Sequence, residues 1–448
     1  MANVAVEQHR RENLVIGLGR TGLSAARYLG ARGERVWVTD RLPWSAVRER
    51  LQRAAPDAEW FDAGPGILPE QVERVIVSPG VPGDNPLVVA ARESGREVAG
   101  DIELFAAEAR APIAGITGSN GKSTVVCLVA ALLEAAGRRV LKGGNLGPPA
   151  LELLDAPEPD AYVLELSSFQ LETTDSLDAG VGVVLNISED HMDRYPDFAA
   201  YAAAKARLVG QSRVAVLNRD DAAVAAMAGD APRVIWFGAG RPEEGGYGIA
   251  TDADGRWLVR GRERLIATDA VPLPGEHNLL NVLAALATVE ALGHDPRAVV
   301  DALKAFRGLA HRMQVVAERD GVVWINDSKA TNVAAAVAAI EGMDRPLILI
   351  AGGQGKGQDF KPLGHALARS DCRGLVVYGE DADSLAAMAP EGMAIRRAED
   401  LEQAVTLARD LALPGSAVLL SPACASFDQF AGFAERGQVF MDAVEGRA

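Results

Sequence analysis

Pro112-Ile-Ala-Gly-Ile-Thr-Gly-Ser-Asn-Gly-Lys-Ser-Thr124 runs from a short apolar stretch into a glycine-bracketed turn and then into a helix opening at Lys122. A strand that feeds such a turn into a helix cradles phosphates. Backbone N–H groups surround the oxygens, the lysine reaches the β- and γ-phosphates, and the hydroxyl after it binds Mg²⁺. Gly118, Asn120, Gly121, Lys122, Ser123 and Thr124 are therefore expected to hold ATP. Position 116 is Ile where the strict P-loop pattern has Gly, so the reading rests on Gly121-Lys-Ser-Thr124 placed after a strand.

Outward from this segment the chain alternates. Apolar runs at Leu14–Leu18, Val36–Val38, Val75–Val77, Ala161–Leu166, Val181–Ile187, Val322–Ile325, Leu347–Ile350, Leu375–Tyr378 and Ala417–Leu420 are separated by amphipathic stretches. That is the βαβ rhythm of parallel sheets. Residues 233–270 loosen into short glycine-rich alternation that predicts an antiparallel insert, and 277–305 read as helical. With 448 residues the expectation is three α/β domains in series. A Rossmann-like domain spans 1–100, a central P-loop ATPase domain with a mostly parallel sheet spans 101–308, and a second Rossmann-like domain spans 309–448.

In the first domain Gly17-Leu-Gly19-Arg-Thr-Gly22 follows a strand and opens a helix, and Asp40 lies downstream. The glycines admit a pyrophosphate to the helix N-terminus and the acid reaches a ribose hydroxyl. Gly19, Thr21, Asp40, Arg41 and, at another strand end, Ser78 and Gly80 form the candidate site. The geometry serves a UDP-sugar as well as a nicotinamide dinucleotide. An NAD-dependent oxidoreductase is thus a rival, disfavoured by the second nucleotide signal and by the lack of a hydride-transfer constellation.

Glu165 sits inside an apolar strand, where an unpaired carboxylate is costly. A cation explains it, either Mg²⁺ with ATP or a structural ion-pair partner. Glu189-Asp-His191-Met-Asp193 gathers metal-ligand types at the next strand end. Lys205, in an Ala-rich helical run, reads by pattern as a solvated surface lysine. In the third block, Ala310-His-Arg-Met313 precedes three strand-end segments, 325–332, 352–357 and 421–426, rich in small polar and cationic residues. Their repetition at one topological place predicts a composite crevice.

Lys and Arg total 45 against 61 Asp and Glu, a net charge of −16 that argues against nucleic-acid binding. Anionic ligands must then be held by local amides, a few cations or metal. Cys127, Cys372 and Cys424 show no metal spacing and read as free thiols in a reducing compartment. No apolar leader and no membrane-length apolar stretch is visible, so the expectation is cytoplasmic.

Taken together, Thr117–Ser123, Glu165–Glu172, Glu189–Tyr195 and Ile325–Asn332 resemble the motifs of the Mur ligase family, in order and along nearly the whole chain from about residue 13. The resemblance implies an ATP-dependent amide-bond-forming ligase of peptidoglycan precursor synthesis. The opening Gly17–Ser24 and closing Ser421–Phe430 are similar to the branch that adds D-glutamate to UDP-N-acetylmuramoyl-L-alanine. Another ligase of this architecture, such as a folylpolyglutamate synthase, is the nearer rival. By motif, Lys122, Glu165, His191 and Lys205 would be catalytic, and Ser123, Glu165, His191 and a carbamylated Lys205 would serve two Mg²⁺ ions. Asn145 and Ser167 would meet the muramyl substrate. Asn281 would meet adenine, and His311, Arg312, Asp327 and Lys329 would complete the ATP site. Thr331, Lys356, Ser426 and Phe433 would form the D-glutamate pocket. The implied protein is a monomer.

Overall fold

Runs of Val, Ile and Leu too short for helices and bounded by glycine turns become strands, and three sheets take them up in chain order. The computed structural model describes residues 10–446 except 63, 65, 274 and 307. The first sheet holds β1 (Glu12–Ile16), β2 (Arg35–Thr39), β3 (Glu59–Trp60), β4 (Arg74–Val77) and β5 (Glu97–Ala99). Its order is β3-β2-β1-β4-β5, all parallel. The strand order reverses at β1, where its two neighbours continue in opposite directions, and the Gly17–Gly19 turn leaves β1 at this switch point.

The second sheet contains β6 (Ile113–Thr117), β7 (Val140–Gly144), β8 (Ala161–Glu165), β9 (Ala179–Val184), β10 (Ser212–Asn218), β11 (Val234–Phe237), β12 (Tyr247–Asp252), β13 (Gly255–Arg260) and β14 (Glu263–Ala267). The order is β14-β13-β12-β11-β10-β9-β6-β8-β7. It is parallel from β7 to β12, and β12 to β14 form the antiparallel ribbon expected from 233–270. The helix Lys122–Ala135 is buried along most of its length, and Glu276–Ala291 packs beside it in the same core. The predicted helix over 277–305 breaks after Ala291. Gly293 takes φ +90° and Pro296 restarts a short helix at Pro296–Val299, followed by a 3₁₀ turn at Val300–Ala305.

The third sheet holds β15 (Gln314–Arg319), β16 (Val322–Asn326), β17 (Leu347–Gly352), β18 (Cys372–Tyr378), β19 (Ala394–Arg397) and β20 (Ala417–Leu420). In the order β15-β16-β20-β17-β18-β19 only β15 runs antiparallel to its neighbour. Because β20 lies between β16 and β17, the segments leaving these three strands emerge side by side. The first two sheets share a core cluster in which Phe105, from the connecting helix Asp101–Ala106, meets Tyr162 edge-on at 5.0 Å. All three cysteines are free, and no helix among the described residues is long and apolar enough to cross a membrane.

Candidate active site

The turn after β6 wraps tightly. Gly121 has φ +85°, and a Cβ there would lie 2.4 Å from Asn281 Oδ1, so only glycine lets the loop approach the helix Glu276–Ala291. Lys122 Nζ folds back to donate to the carbonyls of Gly118 and Ser119, at 2.8 and 2.7 Å. Ser123 Oγ donates to one oxygen of Glu165 at 2.6 Å, and Asn145 Nδ2 donates to the other at 2.6 Å. Burial pushes the Glu165 carboxyl up, but Lys122 and these two donors outweigh it and hold the group below its ordinary value. The buried acid expected in β8 is thus charged and hydrogen-bonded.

Lys205 overturns the surface reading. It is 2% exposed, and its Nζ donates to the Gly118 carbonyl at 3.0 Å and lies 3.4 Å from Thr117 Oγ1. It forms no ion pair within the described residues, and burial, reinforced by the charge of Lys122, pushes its amine well below the usual lysine range. Its helix, Phe198–Gly210, is held at its start by Asp197, whose side chain accepts from Ala200 N. His191 takes a left-handed backbone (φ +58°) and meets Phe169 edge-on at 4.8 Å. Burial lowers its imidazole, and Lys356 from the segment after β17 is among the cations that lower it further. Among the described residues no three or more His, Cys, Asp or Glu side chains gather as a metal cage.

A cavity of about 360 Å³ is lined by Asn120, Gly121, Thr124, Asn281, Arg312, Asp327 and Lys329, seven of the eleven residues expected at ATP. Gly118 lies in the adjoining loop, and Lys122 and Ser123 open the helix that follows it. His311 is turned away: Asn326 Nδ2 donates to its Nδ1 (3.0 Å), which fixes the neutral tautomer with its proton on Nε2, because Asn326 also donates to the Gly437 carbonyl and accepts from Ser328 N. Arg312 crosses between domains, its Nη2 donating to Ser123 Oγ at 2.9 Å. Asp327 accepts from Met313 N and from Ser421 Oγ, and burial raises its carboxyl to about 7.

A second cavity, about 1000 Å³, lies between the first and second sheets. Gly19, Thr21, Asp40, Arg41, Ser78, Gly80 and Asn145 all line it. Ser167 does not. It caps the short helix Ser168–Leu171 in a reciprocal pair with Gln170, and Gln170 reaches the cavity instead. The Asp40 carboxylate also fixes the turn, accepting from Leu18 N and Leu42 N.

In the third domain Thr331, Lys356 and Ser426 stand on the three adjacent segments after β16, β17 and β20, and a Gln354–Ala425 bridge joins the latter two. Lys356 is held at φ +54°. The Phe433 ring lies 3.9 Å from Lys329 Nζ and edge-on to His311.

The Mur ligase middle-domain description matches residues 116–289, the Mur ligase glutamate ligase domain matches 311–424, and a MurD-like N-terminal domain matches 11–100. A UDP-N-acetylmuramoylalanine–D-glutamate ligase of Nitrosococcus oceani is 51% identical over 438 residues, covering 96% of each chain. The chain belongs to the Mur ligase family. In fold it is similar to UDP-N-acetylmuramate-alanine ligase MurC of Thermotoga maritima, with TM-score 0.62 and 17% identity over 98% of this chain and all of that one. It is likewise similar to the MurF ligase of Thermotoga maritima in complex with ADP, with TM-score 0.59 and 17% identity over 98% and 96%.

Sequence reasoning missed several residues of this Mur ligase site. Asp190, 8% exposed, accepts from Asn332 Nδ2 of the third domain (3.2 Å) and from His191 N. It stood in the Glu189–Asp193 group of metal-ligand types after β9, where nothing set it apart from the acids beside it. Asn278, one helical turn from Asn281, also lines the nucleotide cavity, and the Asn-x-x-Asn spacing was its signal. Gln170 could have been found from Ser167-Ser-Phe-Gln170, a helix-start pattern.

Proposed function

We propose that this Mur ligase couples ATP cleavage to addition of D-glutamate onto UDP-N-acetylmuramoyl-L-alanine, in peptidoglycan precursor synthesis. One observation carries the reading: Asn145, a wall of the larger cavity, bonds the same Glu165 that bonds Ser123, and Ser123 is met by Arg312 from the nucleotide cavity. The two cavities converge on one carboxylate, as transfer of a phosphoryl group from nucleotide to a second substrate requires. The larger cavity takes the UDP substrate, with domains 1–100, 101–308 and 309–448 supplying UDP substrate, ATP and amino acid in turn.

The substrate carboxylate attacks the γ-phosphate of ATP, giving an acyl phosphate and ADP. The amine of D-glutamate then attacks the acyl carbon, and phosphate leaves from the tetrahedral intermediate as the amine loses its proton. Lys122 neutralises charge on the transferring oxygens, and Arg312 adds a second cation on domain closure. Closure also keeps water from the acyl phosphate. Lys356, Thr331 and Ser426 bind the two carboxylates of the amino acid.

The donors at the phosphate loop fit Mg²⁺, which is held through one or two carboxylates together with substrate phosphates rather than by an all-protein cage. Ser123 and Glu165 would hold one ion, and the neutral His191 imidazole with Lys205 a second. Such ions would screen the phosphate oxygens and orient the γ-phosphate. A dication beside the amines of Lys122 and Lys205 is opposed by charge, and Lys205 resolves this if its neutral amine adds CO₂ and releases a proton to become a carbamate. On this proposal the enzyme acts in the cytoplasm as a monomer, and its net charge of −16 disfavours a nucleic-acid partner.

The NAD and folylpolyglutamate readings are disfavoured by the MurD-like match over residues 11–100. Phosphate release with UDP-N-acetylmuramoyl-L-alanine and ATP, screened across D- and L-amino acids, tests the proposal. Release should require D-glutamate, and release with another amino acid instead would overturn it.

A further inference from the structure

Arg436 is 0% exposed, yet no carboxylate pairs with it among the described residues. Buried arginines are ordinarily paired, because an isolated buried charge is costly. Here the guanidinium spends its full set of donors on neutral oxygens. Nε donates to Ser328 Oγ (3.0 Å), Nη1 to the carbonyls of Gly352 and Ala425 (3.3 Å each), and Nη2 to those of Ser328 and Cys424 (2.8 and 3.1 Å). Ser328 Oγ in turn donates to the Phe433 carbonyl at the start of the helix Phe433–Glu445 that carries Arg436.

Those acceptors belong to the three segments leaving β16, β17 and β20. Ser328 precedes Thr331 by three residues, Gly352 precedes Lys356 by four, and Ala425 precedes Ser426 directly. Gly353 has φ +122°, and a Cβ there would stand 2.1 Å from the Ala425 carbonyl oxygen and 3.2 Å from Arg436 Nη1, so the segments close directly over the guanidinium. Gln354 and Ala425 exchange two backbone hydrogen bonds, at 3.0 and 2.9 Å, across the same seam.

We propose that Arg436 is the positioning residue of the amino-acid pocket: one planar fork sets the mutual spacing of Thr331, Lys356 and Ser426. The inference rests on the reading of those three residues as the D-glutamate site. A lysine has three donors on a single atom and cannot meet all five acceptors that the guanidinium reaches. Because charge does not distinguish mirror images, the choice of D over L depends on the spacing that this fork imposes.

The test compares Arg436→Lys with Lys356→Ala and Ser426→Ala in the full-length enzyme. Steady-state constants are measured for each substrate, D- and L-glutamate are compared, and acyl-phosphate formation without amino acid is trapped with hydroxylamine. Arg436→Lys should raise the D-glutamate KM about ten- to a hundredfold, while the ATP and UDP-substrate constants stay within about threefold and the acyl phosphate still forms. The D-to-L preference should narrow. A purely structural loss would lower kcat with every KM unchanged, and that result overturns the proposal. If Arg436→Lys does not fold, Ser328→Ala, which removes a single acceptor, must raise the same constant selectively, and an unchanged D-glutamate KM then overturns it. If Lys356→Ala and Ser426→Ala leave the D-glutamate KM untouched, the pocket reading fails and takes this inference with it. If they raise it and Arg436→Lys does not, only the inference fails.

Discussion

Arg312→Lys keeps a positive charge in the nucleotide cavity but removes the Nη2 that reaches Ser123 Oγ at 2.9 Å. The lost contact is one hydrogen bond from a charged donor, worth about 1.5–3 kcal/mol. At about 1.4 kcal/mol per tenfold, kcat/KM for ATP should fall roughly 10- to 150-fold. Arg312→Ala also removes a buried cation that acts on Glu165 and Asp327, so its loss should be larger, about 3–5 kcal/mol. The assay is ADP release with ATP varied and the other substrates saturating. A double-mutant cycle with Ser123→Ala should show coupling of about 1 kcal/mol or more if the bond carries the effect. Arg312→Lys within twofold of the parent enzyme, or a cycle that is simply additive, would refute the assignment of this bond to closure over ATP.

Lys205→Ala should be nearly inactive, activity of the parent enzyme should rise with bicarbonate in CO₂-depleted buffer, and acetate should partly restore the variant; full activity in Lys205→Ala sinks the carbamate. Lys356→Ala should raise the D-glutamate KM about ten- to a hundredfold, with small changes for ATP, because a charge-assisted bond is lost; an equal shift in the ATP constant would make it a nucleotide residue. Burial, with Arg312 adding to it, lowers the Lys329 ammonium to about 8. It is charged below that pH and neutral above, so kcat/KM for ATP should decline above pH 8. Lys329→Arg, whose guanidinium stays charged, should flatten that limb, and an unchanged limb assigns it elsewhere.

The strands were legible because Val, Ile and Leu runs between glycine turns leave few alternatives, and the phosphate loop because Gly121-Lys-Ser-Thr124 after a strand has a single physical use. Lys205 was not legible from pattern. Its helix has alanine at positions 199, 200, 202, 203, 204 and 206, so small apolar residues surround the lysine on every side and no stripe marks the inward face. Ser167, expected from its motif at the muramyl substrate, also caps the short helix Ser168–Leu171, a use that its spacing to Gln170 already marks. Arg436 lay hidden in Ala434-Glu-Arg-Gly437, a run that reads as solvated helix. Its role depends on segments up to 108 residues away, which no local spacing encodes.

His311 and Met313 both hold left-handed backbone, at φ +62° and +43°, on either side of Arg312. Such conformations persist in L-residues only while neighbours hold them. Here the holders are the Gln314 side chain on His311 N, Lys329 N on the His311 carbonyl and Asp327 on Met313 N, and all belong to the third domain. The kinked tripeptide therefore travels with that domain as part of one rigid piece. The tripeptide is preceded by Gly308, whose φ of +76° turns the chain as it enters the third domain. Arg312 is therefore like a bolt mounted on the third domain and seated on Ser123 of the second.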